Sequence, residues 1–267
     1  MTYGFIGTGN MGGALARAAA KAVENRRDLM FANRSRAKAE ALANELGATV
    51  ADNETIAKEC DYILLGVKPQ LMGEVLAALA PVFKARTTPF CLISMAAGLS
   101  VAQLQAMAGG SYPVIRILPN TAVAVGEGVT LWCASDEVTE AQKAGYLSVL
   151  GASGLLEELA EHLIDAGCAV AGCGGAFACL FMEALSDGGV LCGLPRDKAL
   201  RYAAQMLRGT AALAVETGEH PAKMKDAICS PGGSTIAGVR ALEENGFRSA
   251  VQEAVIASYK RTVELGK

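Results

Sequence analysis

Thr2-Tyr3-Gly4-Phe5-Ile6 is a short apolar strand candidate that runs straight into Gly7-Thr8-Gly9-Asn10-Met11-Gly12, and an Ala-rich stretch to Val23 follows. A strand, a G-x-G-x-x-G turn and a helix in this order make the crossover that binds dinucleotides. Gly7 permits the tight turn. Gly9 puts no side chain between the backbone and a pyrophosphate, and Gly12 lets the helix approach the strand. The phosphates then meet unpaired N–H groups and the positive end of the helix dipole. Thr8, Asn10 and Met11 complete the candidate cofactor loop.

The first half of the chain keeps the same rhythm. Strand candidates at 2–6, 29–32, 49–51, 62–67, 90–94 and 114–118 alternate with helix candidates at 11–24, 36–46, 54–60, 70–83 and 100–108. Such alternation predicts a parallel sheet wound on both faces. Segments 128–134 and 154–158 read as closing strands around a helix over 137–150. From about Glu161 the strand pattern stops, and helices are expected over 175–192, 195–217, 221–227, 235–244 and 247–265. Pro195 and Pro221 sit where a first helical turn accepts proline, and Gly193, Gly218 and Gly246 sit where helices stop. The expected organisation is an α/β chain. A Rossmann-type doubly wound NAD(P)-binding domain covers 1–158, and an all-helical domain covers 159–267. The later helices are rich in Ala, Gly and Leu, so a second subunit is the economical cover for them.

Bulk chemistry narrows the partners. A net charge of −3 gives no footprint for nucleic acid, and no run of like charges suggests a membrane surface. The uncharged stretch 87–115 is broken by Pro89, Gly98, Gly109, Gly110 and Pro113, which reads as buried strand, loop and helix. No export signal precedes the first strand, so a cytoplasmic protein is expected. The eight cysteines include no C-x-x-C pair and read as buried thiols in a reducing compartment. His162 and His220 lie far apart, so no metal site is expected.

Several strand ends carry chemistry. Phe31-Ala32 leads into Asn33-Arg34-Ser35-Arg36, where an NAD enzyme usually places an acid for the ribose hydroxyl. Two guanidinium groups, an amide and a hydroxyl suit a 2′-phosphate instead, which points to NADPH, with NADH accommodated. Val67-Lys68-Pro69 ends another strand, with Pro69 holding Lys68 extended at the ligand-binding edge of the sheet. Asn120 and Thr121, after Pro119, are candidates for contacts near a nicotinamide, with a Pro-Asn turn as the competing account. Ser230-Pro231-Gly232-Gly233-Ser234-Thr235 precedes a helix, and its converging N–H groups and hydroxyls suit a carboxylate, or form an elaborate cap.

Together GFIGTGNMG, VKP, PNTA, DGGV-x-x-GLP and SPGGSTIAG with Gly246-Phe247-Arg248 resemble the pyrroline-5-carboxylate reductase family, in order and along nearly the whole chain. The resemblance implies NAD(P)H-dependent reduction of the imine of 1-pyrroline-5-carboxylate to L-proline. It also implies a Rossmann domain followed by a helical dimerisation domain, and at least a homodimer. Carried over by position, Ser230, Gly232, Gly233, Ser234 and Thr235 grip the substrate carboxylate. Asn33, Arg34, Ser35 and Asn53 lie near the adenosine end of the cofactor. Thr235 is the candidate for contact with the imine nitrogen, and Lys68 the second catalytic candidate. The family pattern departs at 165–177, where Cys168, Ala171 and Cys173 replace hydroxyl residues, Gly175 replaces proline and Phe177 replaces tyrosine. A related cyclic-imine reductase, or a nucleotide-binding regulatory homologue with weak turnover, is the alternative. A 3-hydroxyacid dehydrogenase would need a lysine in the interdomain helix, and none occurs between Lys143 and Lys198.

Overall fold

Four-residue strands whose residues are all buried can form only at the centre of a sheet covered on both faces. β1 (Tyr3–Ile6), β4 (Tyr62–Leu65) and β5 (Cys91–Ser94) have this character. In the computed structural model, which describes residues 1–265, they belong to an eight-stranded sheet of order β3-β2-β1-β4-β5-β6-β7-β8. The remaining strands are β2 (Leu29–Ala32), β3 (Thr49–Val50), β6 (Val114–Pro119), β7 (Gly128–Ala134) and β8 (Gly154–Glu158). Strands β1 to β6 pair in parallel, β7 runs antiparallel to β6, and β8 is parallel to β7. The antiparallel pair follows from the short turn Thr121–Val125, which leaves no room for a crossover helix.

Helices α1 (Asn10–Ala22), α2 (Arg36–Leu46), α3 (Asn53–Glu59), α4 (Pro69–Ala85), α5 (Val101–Ala108) and α6 (Glu140–Leu150) cover the sheet. α1 buries alanines 14, 16, 18, 19 and 20 with Leu15, and small side chains permit close packing. Its layer joins Phe5, Phe31, Leu64 and Ile93 into one core. On the opposite face Ile56, Met72, Leu76 and Phe83 of α3 and α4 pack on Ile6, Ile63, Leu65 and Leu92.

The second half is helical throughout: α7 (Ile164–Gly167), α8 (Gly174–Leu191), α9 (Arg196–Thr217), α10 (Pro221–Ile228), α11 (Ser234–Glu244) and α12 (Phe247–Leu265). The helices of this half begin earlier than the sequence pattern indicates. Residues 164–172, which lie before the first helix expected in this half at 175–192, are helical, with a wide π turn at Cys168–Gly172 between α7 and α8. Tertiary packing overrides the glycine content. Ile164 and Ala169 are fully buried, and a Cβ on Gly167 would lie 2.4 Å from Leu131 Cδ1. That glycine answers a close approach, not a turn. The chain packs as two compact units. One unit holds Met1–Gly172 with the segment from Ser258 onward, and the other holds Cys173–Ala257.

Gly167→Ala is therefore expected to destabilise the protein by about 1–3 kcal/mol through overpacking. Gly73→Ala in α4, where a new Cβ meets nothing within 4 Å, should be neutral or gain about 0.5–1 kcal/mol. Urea unfolding of the two variants should separate them by sign.

Candidate active site

The carboxyl ends of the parallel strands form one edge, where doubly wound folds bind ligands. At its middle, β1 hands over to Gly7, which sits at φ +100°. A Cβ on Gly7 would stand 2.6 Å from the carbonyl of Gly66, and one on Gly12 or Gly66 would stand 2.2 or 2.3 Å from the Gly7 oxygen. The three glycines pack backbone on backbone. Gly66 was not singled out in the sequence, where a glycine directly after the β4 run was the available signal. Gly9 differs: a Cβ there meets nothing within 4 Å, so the space above it is open. Gly9 caps α1 without any side-chain hydrogen bond, which leaves the first-turn N–H groups for a ligand.

The loop is tied to its neighbour. Asn33 accepts a hydrogen bond from the Thr8 N–H at 3.1 Å through Oδ1 and donates from Nδ2 to the Ser35 carbonyl at 3.2 Å. Asn33 therefore holds the phosphate loop against the end of β2. The Thr8 hydroxyl is buried without a protein partner. An orphaned hydroxyl, an open Gly9 and an uncapped helix fit a bound pyrophosphate.

Two clefts flank the loop. One, of about 610 Å³, opens beyond β2 and β3 and is lined by Asn33, Arg34, Arg36, Asn53 and Glu74 among others. Arg36 is paired with Glu40 at 2.8 Å, whereas Arg34 is exposed with no ion pair among the described residues. Ser35 caps α2 and does not line this cleft. Asn53 begins α3, where the Asp52 carboxylate accepts from the Thr55 N–H at 2.7 Å. That bond and its neighbours hold the Asp52 carboxyl below the usual carboxylate range.

The other cleft, of about 340 Å³, opens over β4, β5 and β6 and is lined by Met11, Gly66, Val67, Lys68, Met95, Ala97, Leu118, Pro119, Cys168 and Gly172. Pro69 starts α4 just beyond it. Met95 and Ala97 were not found from sequence, because a small or flexible residue after a buried strand carries no signal of its own. Asn120 has the bonding of the turn account given for it above. It does not line the cleft, and its amide is taken up by backbone groups of Ala122, Val129 and Ala171. The buried thiols Cys60 and Cys91 are pushed up to about 12 by burial, which removes them as nucleophiles at neutral pH.

In the helical unit, the turn before α11 has Gly232 at φ +68° and Gly233 as the cap of the helix, again without a side-chain hydrogen bond. Ser234 thus begins the helix and does not cap it. The Gly233 N–H donates to the Ser230 carbonyl at 3.0 Å, and a Cβ on Gly233 would stand 2.4 Å from Ser230 Oγ. Ser230, Ser234 and Thr235 are exposed.

A sheet edge with an open glycine loop between two clefts, followed by a helical unit with an uncapped anion-type helix start, defines a two-part nicotinamide-dinucleotide oxidoreductase. Residues 161–265 match the model described as pyrroline-5-carboxylate reductase dimerisation, and residues 2–98 match that of coenzyme F420-dependent NADP oxidoreductases. A pyrroline-5-carboxylate reductase of Synechocystis sp. is 46% identical over 81% of this chain and 79% of its own. One of Glycine max is 37% identical over 99% and 96%. The crystal structure of Plasmodium falciparum pyrroline carboxylate reductase with NADP bound superposes with a TM-score of 0.88 at 31% identity, covering 100% of this chain and 98% of that one. The chain belongs to the pyrroline-5-carboxylate reductase family.

Replacing the unpaired cation, Arg34→Glu, should weaken NADPH by about tenfold or more and NADH far less, since a charge-assisted contact to a 2′-phosphate is lost. Titration of both cofactors by nicotinamide fluorescence checks this. Equal losses would remove Arg34 from the phosphate site.

Proposed function

We propose that this protein reduces the imine of 1-pyrroline-5-carboxylate to L-proline with NADPH. What carries the reading is the uncapped Ser230–Thr235 turn in a chain of this family, because it offers main-chain donors to a small carboxylate. When bound, NADPH supplies the hydride that adds to the imine carbon. The chain's own residues bind and orient. Gly7–Gly12 and Asn33 hold the loop that takes the pyrophosphate, while Arg34 and Asn53 receive the adenosine end. Val67 and Lys68 border the cleft assigned to the nicotinamide, with the Lys68 ammonium adding positive charge at its rim. The N–H groups of Ser234 and Thr235 hold the carboxylate, while the Gly233 N–H, bonded to the Ser230 carbonyl, shapes the turn. The Thr235 hydroxyl, directly or through water, donates to the imine nitrogen. A protonated imine is already electrophilic, so alignment supplies most of the acceleration.

The assembly follows from the same helices. The run Glu161–Leu191 is long and apolar enough to cross a membrane, and its most apolar stretch of 18 residues has a mean hydropathy of 1.7. It falls wholly within the matched dimerisation segment, and Leu180 and Leu191 on it are 67% and 90% exposed. A homodimer, or a larger assembly of dimers, working in the cytoplasm covers this surface with protein in preference to lipid.

Thr235→Ala is expected to lower kcat/KM for the imine by about tenfold or more, since no backbone group replaces the hydroxyl. Ser234→Ala should do little. Gly233→Val should be the most damaging, because the new side chain collides with Ser230 and closes the turn. NADPH affinity should hold in all three, because the cofactor residues belong to the other unit. Full activity of Thr235→Ala and Gly233→Val in folded protein would reduce the turn to a helix cap.

A further inference from the structure

Asn120 sits at the end of β6, and its side chain makes three bonds to main chain. Oδ1 accepts from the N–H of Ala122 and of Val129, both at 3.2 Å, and Nδ2 donates to the carbonyl of Ala171 at 3.0 Å. The first two bonds close the turn between β6 and β7. The third reaches the π turn Cys168–Gly172. A π turn breaks the regular i→i−4 ladder and leaves carbonyls that need outside donors, and such turns recur at functional sites. Cys168 and Gly172, at the two ends of this turn, line the smaller cleft together with Leu118 and Pro119 of β6.

The helical run is held to β6 a second time upstream. The guanidinium of Arg116, 4% exposed, meets Asp165 at 2.7 Å and Glu161 at 3.5 Å. Between these two anchors Ile164 and Ala169 are fully buried. The upstream anchor is an ion pair with apolar packing around it, and it fixes where the run begins. The downstream anchor is one neutral hydrogen bond, and it fixes the carbonyl one residue from the cleft wall.

We propose that Asn120 is a positioning residue for hydride transfer: its Nδ2 holds the Cys168–Gly172 turn and thereby sets the wall of the cleft against which the nicotinamide is aligned. The inference rests on the assignment of that cleft to the nicotinamide. Only an amide satisfies all three bonds at once, since a carboxylate keeps both acceptor roles and has no donor for Ala171. Asn120→Asp therefore isolates the third bond. It leaves the β6–β7 turn closed and places a carboxylate oxygen against the Ala171 carbonyl, which pushes the turn away.

The test compares wild type and Asn120→Asp by four readouts: hydrogen–deuterium exchange of segment 168–172 without cofactor, thermal midpoint, NADPH affinity by fluorescence, and kcat with protonated or deuterated NADPH and racemic pyrroline-5-carboxylate. Expected are faster exchange confined to 168–172, a nearly unchanged midpoint and NADPH affinity, and a kcat lower by about tenfold to hundredfold, as for a reacting group moved by roughly an ångström. The isotope effect on kcat should rise, because the hydride step becomes slower than release. Lowering the pH toward the carboxyl range should restore part of kcat relative to wild type, since the protonated acid can donate to Ala171 again. Unchanged exchange and kcat would overturn the proposal. So would parallel losses of midpoint, affinity and kcat, which mean a general structural role. A wild type inactive on this imine would overturn the substrate reading alone, and the exchange comparison would still decide about Asn120. If Asn120→Asp fails to fold, Asn120→Ser, with a donor and an acceptor of shorter reach, carries the same comparison.

Discussion

The backbone contact among Gly7, Gly12 and Gly66 is the constraint on which the nucleotide-binding unit depends. Gly12 and Gly66 pack against the Gly7 oxygen, and Gly7 against the Gly66 carbonyl, at distances no side chain tolerates. The contact brings the first turn of α1 down onto the edge of β1 and β4, the middle pair of the six parallel strands. Everything else at that edge is arranged around it. One cleft lies over β2 and β3, the other over β4 to β6, and the open Gly9 lies between them. An extended dinucleotide needs this order: a charged end, a phosphate seat and a flat apolar cleft. Close packing without voids then makes each glycine intolerant of even one methyl group.

Much of this was legible because the signals were local. Strands at 29–32, 128–134 and 154–158 coincide with the elements observed, and helix 36–46 coincides with α2. Buried parallel strands read as continuous apolar runs, and Gly, Pro and N-cap residues mark their ends. What was not legible depends on partners distant in sequence. Gly66 matters because Gly7, far upstream, lies against it. Gly167 looked like a loop residue because its neighbour Leu131 is on another strand. Asn120 left a ligand contact and a turn both open, because a polar side chain at a strand end suits either, and the carbonyl it serves lies 51 positions away. The helical character of 164–172 is decided by Arg116 and by apolar burial, which no local propensity carries.

The altered segment is easier to understand in this light. Ala171 stands where the family carries a hydroxyl residue, yet its role in the first unit runs through its main-chain carbonyl, which any residue supplies. Cys168 retains a small side chain at the cleft wall. The substitutions therefore change the polarity of one wall while the backbone that shapes it stays anchored by Asn120 and Arg116. The residues proposed for cofactor and for substrate fall in different compact units, and the second unit carries exposed apolar helices.

The central claim is that the nucleotide edge and the helical unit together reduce a five-membered cyclic imine acid. The most direct measurement follows NADPH consumption and product chirality in one reaction with racemic pyrroline-5-carboxylate, beside a six-membered cyclic imine acid. The account predicts L-proline formed in step with NADPH oxidised, and a higher kcat/KM for the five-membered ring. Tight NADPH binding without turnover of either imine, or faster reduction of the six-membered ring, would contradict it.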